Sequence, residues 1–177
     1  GTLILVDGSS NIYRAYYAIR GLTNSSGLST NAVYGFIQML RKMLKDKKPD
    51  AVAVAFDVSK KTFRHKQFED YKKDRKPMPD DLVAQLPFIR EVCDGFGLSI
   101  LEREDYEADD LIGSVACQAR DRGWDVVIAT ADKDFFQLVG DGISLYHTGR
   151  EVIYDAAGVK EVFGLEPSKV VDVMAIW

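Results

Sequence analysis

The chain has 177 residues, with 23 Lys and Arg against 27 Asp and Glu, a formal charge of −4, and 46% hydrophobic residues. That balance fits one soluble globular domain with a real core and excludes disordered and collagen-like chains. No apolar run approaches the ~20 residues of a membrane span, and no charged-then-apolar leader opens the chain. Cys93 and Cys117 form no C-x-x-C pair, so neither a disulfide framework nor a thiolate zinc site is expected, and a cytoplasmic setting is the default.

Thr2 to Val6 is a continuous apolar run, read as a strand buried on both faces and ending in the turn and cap cluster Asp7-Gly8-Ser9-Ser10. Tyr13 to Ile19 is expected to be helical. Asn31 to Lys47 carries Val33, Phe36, Ile37, Leu40, Met43 and Leu44 at helical spacing and is stopped by Pro49. Ala51 to Phe56 predicts a second buried strand, followed by Asp57. Residues 58–81 have little apolar periodicity and many bases, the pattern of a functional insert. Leu82 to Phe96 predicts a helix closed by Gly97, and Leu98 to Leu101 a third strand. Ala108 to Arg122 predicts a helix stopped by Gly123, and Val126 to Ala129 a fourth strand. Ile143 to His147 and Val152 to Tyr154 predict short strands. Pro167 to Trp177 begins as a helix with no stop signal, so the expectation is a chain cut from a longer one. Buried strands alternating with helices predict a three-layer α/β fold, with a mainly parallel central sheet and helices on both faces.

In such a sheet the ligand site lies beyond the carboxyl ends of the strands. Asp7, Asp57 and Asp132 follow three of the strands, with Asp134 two residues on. Glu107, Asp109 and Asp110 open the helix after the third. Seven carboxylates at one edge would raise one another's pKa, and divalent cations would offset the repulsion. All-oxygen donors favour Mg²⁺ or Mn²⁺ over Zn²⁺, and two such ions suit in-line phosphoryl displacement. Each acid alone is equally well read as a cap or turn residue. Asp110 and Asp134 are the members closest to that purely structural reading.

Charge is concentrated in residues 60–76, where 8 Lys and Arg face 3 acids. Arg64, Lys66, Tyr71, Lys72, Arg75 and Lys76 are candidate nucleic-acid contacts there, because bases neutralise phosphates and aromatics stack on unpaired bases. Arg14 is a further phosphate candidate. Gly8-Ser9-Ser10 is a weak phosphate-loop candidate that matches no P-loop pattern.

Four stretches, LILVDGSSNIYRAYYA, AVAFDVSKKTFRHKQFEDYKKDRKPMPDDL, YEADDLIG and ATADKDFFQLV, resemble the 5′-nuclease domains of bacterial DNA polymerase I and their flap-endonuclease relatives. They stand in the family order and together span almost all of residues 2–177. The resemblance implies a PIN-like, resolvase-like fold and two-metal hydrolysis of phosphodiesters near 5′ ends and flaps of DNA, in replication and repair. It also implies action on RNA primers. By motif, Asp7, Asp57, Glu107, Asp109 and Asp110 correspond to first-metal ligands or their neighbours, and Asp132 and Asp134 to bridging or second-metal residues. The basic insert corresponds to the family's helical arch, with Arg64, Lys72, Arg75 and Lys76 as phosphate contacts. The family continues with a Gly-Asp-rich segment bearing two more metal-binding aspartates and a helix–turn–helix clamp. The chain stops at Trp177, where that segment should start. The expectation is therefore an N-terminal catalytic domain over residues 1–177, monomeric, nucleoid-associated, with one or two Mg²⁺ or Mn²⁺ ions and a polymerase domain in the parent protein. The competing expectations are a non-cleaving DNA-structure-binding piece and a PIN-type ribonuclease.

Overall fold

Strand β1 (Thr2–Asp7) lies near the middle of a six-stranded sheet in a computed structural model that describes residues 1–58 and 77–176. It leads directly into helix α1 (Gly8–Ala18). Helix α2 (Asn31–Lys47), strand β2 (Ala51–Ala55) and helices α3 (Asp80–Val83) and α4 (Leu86–Gly95) follow. The chain continues through β3 (Ser99–Leu101), α5 (Ala108–Asp121), β4 (Asp125–Thr130) and a 3-10 segment, Lys133–Leu138. Strands β5 (Ile143–His147) and β6 (Val152–Tyr154), helix α6 (Ala156–Phe163), a 3-10 turn at Pro167–Lys169 and helix α7 (Val170–Met174) complete it.

The strand order is β3-β2-β1-β4-β5-β6. The first five strands run parallel and only β6 is antiparallel, to β5. The chain winds outward from β1 in both directions, so the order reverses between β1 and β4. At such a switch point the connections leave toward opposite faces and open a crevice beyond the strand ends.

Alternation along β1 divides the core. Ile4 and Val6 face one layer, made by Ile12 of α1, Phe36, Leu40 and Met43 of α2, Leu82 of α3 and Ile89 and Cys93 of α4. Leu5 faces the other, made by Ala108, Ile112 and Ala116 of α5, Phe135 and Phe136, Val159 of α6 and Val170 of α7. Each large side chain buried here contributes roughly 1.5–3 kcal/mol. The expected three-layer α/β fold is observed.

Several boundaries differ from the sequence reading. The first helix starts at Gly8, not Tyr13, because Asp7 caps it while still closing β1. The single helix expected over Leu82–Phe96 is two, α3 and α4. Pro87 has no N–H for a bond one turn back, so the helix restarts at Leu86. Helix α6 was not expected. Its cap is Asp155, whose side chain accepts from the Gly158 N–H, and Gly164 ends it at φ +80°. The final helix expected from Pro167 is a 3-10 turn followed by the short α7. The insert candidates Arg64, Lys66, Tyr71, Lys72, Arg75 and Lys76 lie outside the described residues. Among the described residues no helix is long and apolar enough to cross a membrane.

Candidate metal centre

Asp7 is the last residue of β1 and is only 3% exposed. Its Oδ1 accepts the Ser10 N–H at 3.0 Å, the bond that caps α1. Its Oδ2 accepts the Thr130 hydroxyl at 2.7 Å, across the switch point from the end of β4. Asn11, one turn into α1, donates through Nδ2 to the carbonyls of Asp7 (2.7 Å) and Ala129 (3.1 Å). That amide bridges the ends of β1 and β4 where their ladder stops.

Asp57 stands two residues past β2 and is exposed. Its N–H donates to the Ser9 hydroxyl at 3.2 Å, which ties it to the first turn of α1. Its Oδ1 accepts the Ala108 N–H at 2.9 Å, so the carboxylate rests on the positive end of α5. Glu107, the N-cap of α5, is buried, and its N–H donates to Asp110 Oδ2 at 3.1 Å. Asp109 in the same turn is exposed. Past β4, the Asp132 N–H donates to Thr130 Oγ1 at 3.1 Å. Asp132 Oδ1 accepts the Asp134 N–H at 2.9 Å, capping the 3-10 segment.

All seven acids therefore lie on elements that meet at the carboxyl edge of the sheet, and Asp7 sits between Asp57 and Asp132. Burial is the main force pushing the Asp7 carboxyl above its ordinary value of 3.8. The bonds from Ser10 and Thr130 pull it back, and the charges of Asp132 and Asp57 push it up again. This carboxylate feels both its neighbours, which is the electrostatic condition a bound cation relieves. The donors are all oxygens, the chemistry of a hard divalent ion. Among the described residues, however, no three His, Cys, Asp or Glu side chains are grouped closely enough to enclose a metal. The structural reading of the acids is also met: Asp7, Asp57 and Asp132 each accept from a backbone N–H.

Thr130, Ser9 and Asn11 organise the acids, and the sequence reading passed over all three. The nearest signal was the run Asp7-Gly8-Ser9-Ser10, read as a turn and cap cluster with Gly8-Ser9-Ser10 as a weak phosphate-loop candidate. The cap is observed, with the Ser10 N–H on Asp7, and Ser9 in addition accepts the Asp57 N–H. Arg14 lies on α1 and is one of the charged groups acting on His147, so it belongs to the β5 side of the edge. Thr130→Val keeps the volume but removes both bonds of the hydroxyl. It is expected to cost about 1–2 kcal/mol, a melting point lower by about 2–8 °C, and to push the Asp7 carboxyl further up. Thr130→Ser should restore both properties in thermal unfolding followed across pH.

The fold and this edge define a resolvase-like α/β domain with acids at its switch point. The chain belongs to the family of the 5′-3′ exonuclease N-terminal resolvase-like domain, whose model matches residues 2–164. It is 44% identical over 178 residues to DNA polymerase I of Bacillus subtilis, a match covering 98% of this chain and 20% of that protein. It is 39% identical to the 5′-3′ exonuclease of Aquifex aeolicus, covering 99% of this chain and 61% of the relative. The chain thus spans about a fifth of the length of the polymerase relatives. Among solved structures, T5 5′-exonuclease with bound zinc superposes with a TM-score of 0.75 at 17% identity, covering 94% of this chain and 63% of that one. The catalytic core of Rad2 in complex with DNA superposes at 0.55 with 20% identity, covering 96% and 52%.

Proposed function

We propose that the chain is the catalytic core of a metal-dependent 5′-3′ exonuclease and flap endonuclease, and that its carboxyl edge holds Mg²⁺ or Mn²⁺. The observation that carries this is the buried Asp7 at the switch point, its carboxyl driven up by burial and by Asp132 and Asp57. Asp7, Asp57, Glu107, Asp109 and Asp110 would hold one ion, with Asp132 and Asp134 serving a second or bridging position. The ions, when bound, supply Lewis-acid stabilisation of the attacking and leaving oxygens of a phosphodiester. The chain's own part is to set the acids on rigid strand ends, with backbone N–H groups and Thr130 fixing their direction. Arg14, Arg64, Lys66, Tyr71, Lys72, Arg75 and Lys76 would meet the DNA strand. DNA with 5′ ends or flaps is the substrate class, RNA primers are a second, and a polymerase domain in the parent protein fits the relatives' names.

Calorimetric titration with Mn²⁺ beside a 5′-flap cleavage assay tests the proposal. Saturable binding with metal-dependent cutting is the expected result, and no binding would remove the metal centre. The absence of an enclosed three-residue group among the described residues favours a second reading, a DNA-binding piece that does not cut. DNA binding with neither metal uptake nor cleavage would establish it. Lys72→Ala with Arg75→Ala is expected to lower DNA affinity and to reduce the salt slope by about 2. An unchanged slope in affinity measurements from low to high salt would take the insert off the binding surface.

A further inference from the structure

The end of β5 is built differently from the acidic strand ends. His147 is paired in register with Thr130, so it stands one strand spacing beyond the residue that holds Asp7. His147 Nδ1 accepts the backbone N–H groups of Gly149 (3.2 Å) and Arg150 (3.1 Å). A nitrogen that accepts cannot carry the proton, so the neutral ring is protonated at Nε2 and presents a donor there. Burial holds the His147 pKa below 6.5, and the charged groups acting on it are all cations: Arg150, Arg14 and Lys133. The nearby Glu151 is engaged by Lys42.

Gly149 is the meeting point of two of these side chains. A Cβ placed there would lie 3.2 Å from His147 Cε1 and 3.5 Å from Arg14 Cδ. Around this residue two polar atoms, Arg14 Nε and Thr148 Oγ1, are buried without a hydrogen-bond partner among the described residues. Thr148 is only 5% exposed. Unpartnered buried polar atoms are rare and costly, and each calls for a reason. Here both belong to one loop and its neighbouring helix, in a field made by cations. Donors without acceptors, in a positive field, suit an anion.

We propose that Arg14, His147, Thr148 and Arg150 form a phosphate subsite, which holds a phosphodiester of the nucleic-acid strand beside the one lying at the carboxylates. The inference rests on the nuclease reading above and extends it: the strand would run from the acidic edge at β1 and β4 toward β5. The phosphate oxygens would take the His147 Nε2–H, the Arg14 guanidinium and the Thr148 hydroxyl, and Arg150 would add charge. The hydroxyl left unpaired in the free chain is then satisfied only when DNA is bound.

The test is binding of 5′-labelled single-stranded DNA by fluorescence anisotropy in metal-free buffer, so that nothing is cut. Thr148→Val should bind about 3–10-fold more weakly, the worth of one hydrogen bond. It should also melt about 2–4 °C higher, because a buried unpaired hydroxyl is gone. A merely structural Thr148 could not give weaker binding with a higher melting point. Arg150→Ala, at an exposed position, should lower the salt slope by about 1. Wild-type affinity and slope in both variants, with Arg14→Ala still weakened, would overturn the subsite and leave the nuclease reading standing. Failure of the wild-type chain to bind DNA would overturn both. Binding of inorganic phosphate that depends on Thr148, with DNA affinity that does not, would reassign the site to free phosphate and overturn the proposal.

Discussion

Asp7→Asn is expected to abolish useful metal binding, with at least a 100-fold (~2.7 kcal/mol) loss of Mn²⁺ affinity, and yet to leave the chain folded. Asparagine keeps the shape. Its Oδ1 can accept the Ser10 N–H as Asp7 Oδ1 does. Its Nδ2 can donate to Thr130 Oγ1, which has lone pairs for this bond and for the one it accepts from Asp132. What disappears is the charge. The Asp7 carboxyl is raised from 3.8 by burial, with Asp132 and Asp57 adding to the rise. The folded chain therefore binds this proton more readily than the unfolded chain. Its contribution is fully favourable below 3.8, falls as pH rises through the raised value, and stays unfavourable above it. Metal-free Asp7→Asn should accordingly lack this fall and gain on the wild type as pH rises from 3.8 toward neutrality. Calorimetric Mn²⁺ titration and metal-free thermal unfolding across pH check both halves. Unchanged Mn²⁺ affinity would move the metal away from the switch point. A variant that is less stable than the wild type at neutral pH would show that burial of the Asp7 charge does not weaken the metal-free fold.

Asp7, Asp57 and Asp132 were legible in the sequence because each stands at the end of a strand with a buried core, and such strands read as unbroken apolar runs. Thr2–Val6, Ala51–Phe56 and Val126–Ala129 each came within one or two residues of the observed β1, β2 and β4. Parallel pairing then puts their ends on one edge without further information. The groups that aim the acids were not legible. Thr130, Ser9 and Asn11 act through one or two hydrogen bonds each, to partners brought close by the pairing of β1 with β2 and β4, and no periodicity encodes that. Helix α6 was missed for a different reason. It has eight residues, of which Val159 is fully buried and Phe163 packs partly, too few inward positions to establish a helical period. Pro87 was visible throughout, but its break was absorbed into an apolar pattern that runs on from Leu82 to Cys93.

Gly8→Ala is expected to cost about 3 kcal/mol, a melting point lower by roughly 6–12 °C, and to take metal binding with it. Helix propensity alone predicts the opposite sign, since Ala is favoured over Gly inside a helix by about 0.5–1 kcal/mol. Packing decides. A Cβ on Gly8 would lie 2.4 Å from Phe56 Cε1, 2.6 Å from Phe56 Cδ1 and 2.7 Å from the Ala55 carbonyl oxygen. The ring is not free to move, because it packs against Phe36 at 6.5 Å between centroids and lies 5.6 Å from the Arg90 guanidinium carbon. The carbonyl is backbone at the end of β2. The clash must therefore push α1 and β2 apart at the residues that carry the acids, since Asp7 precedes Gly8 and Asp57 follows Phe56. Gly95, with nothing within 4 Å of its Cβ position in α4, is the control, and Gly95→Ala should hold or slightly raise stability. If Gly8→Ala melts with Gly95→Ala and keeps its Mn²⁺ affinity, the close approach of α1 to β2 does not position the acids. If it loses both, the glycine is part of the metal centre without touching the metal, because only a residue with no side chain lets the first turn of α1 sit against β2 and bring Ser9 within reach of the Asp57 N–H.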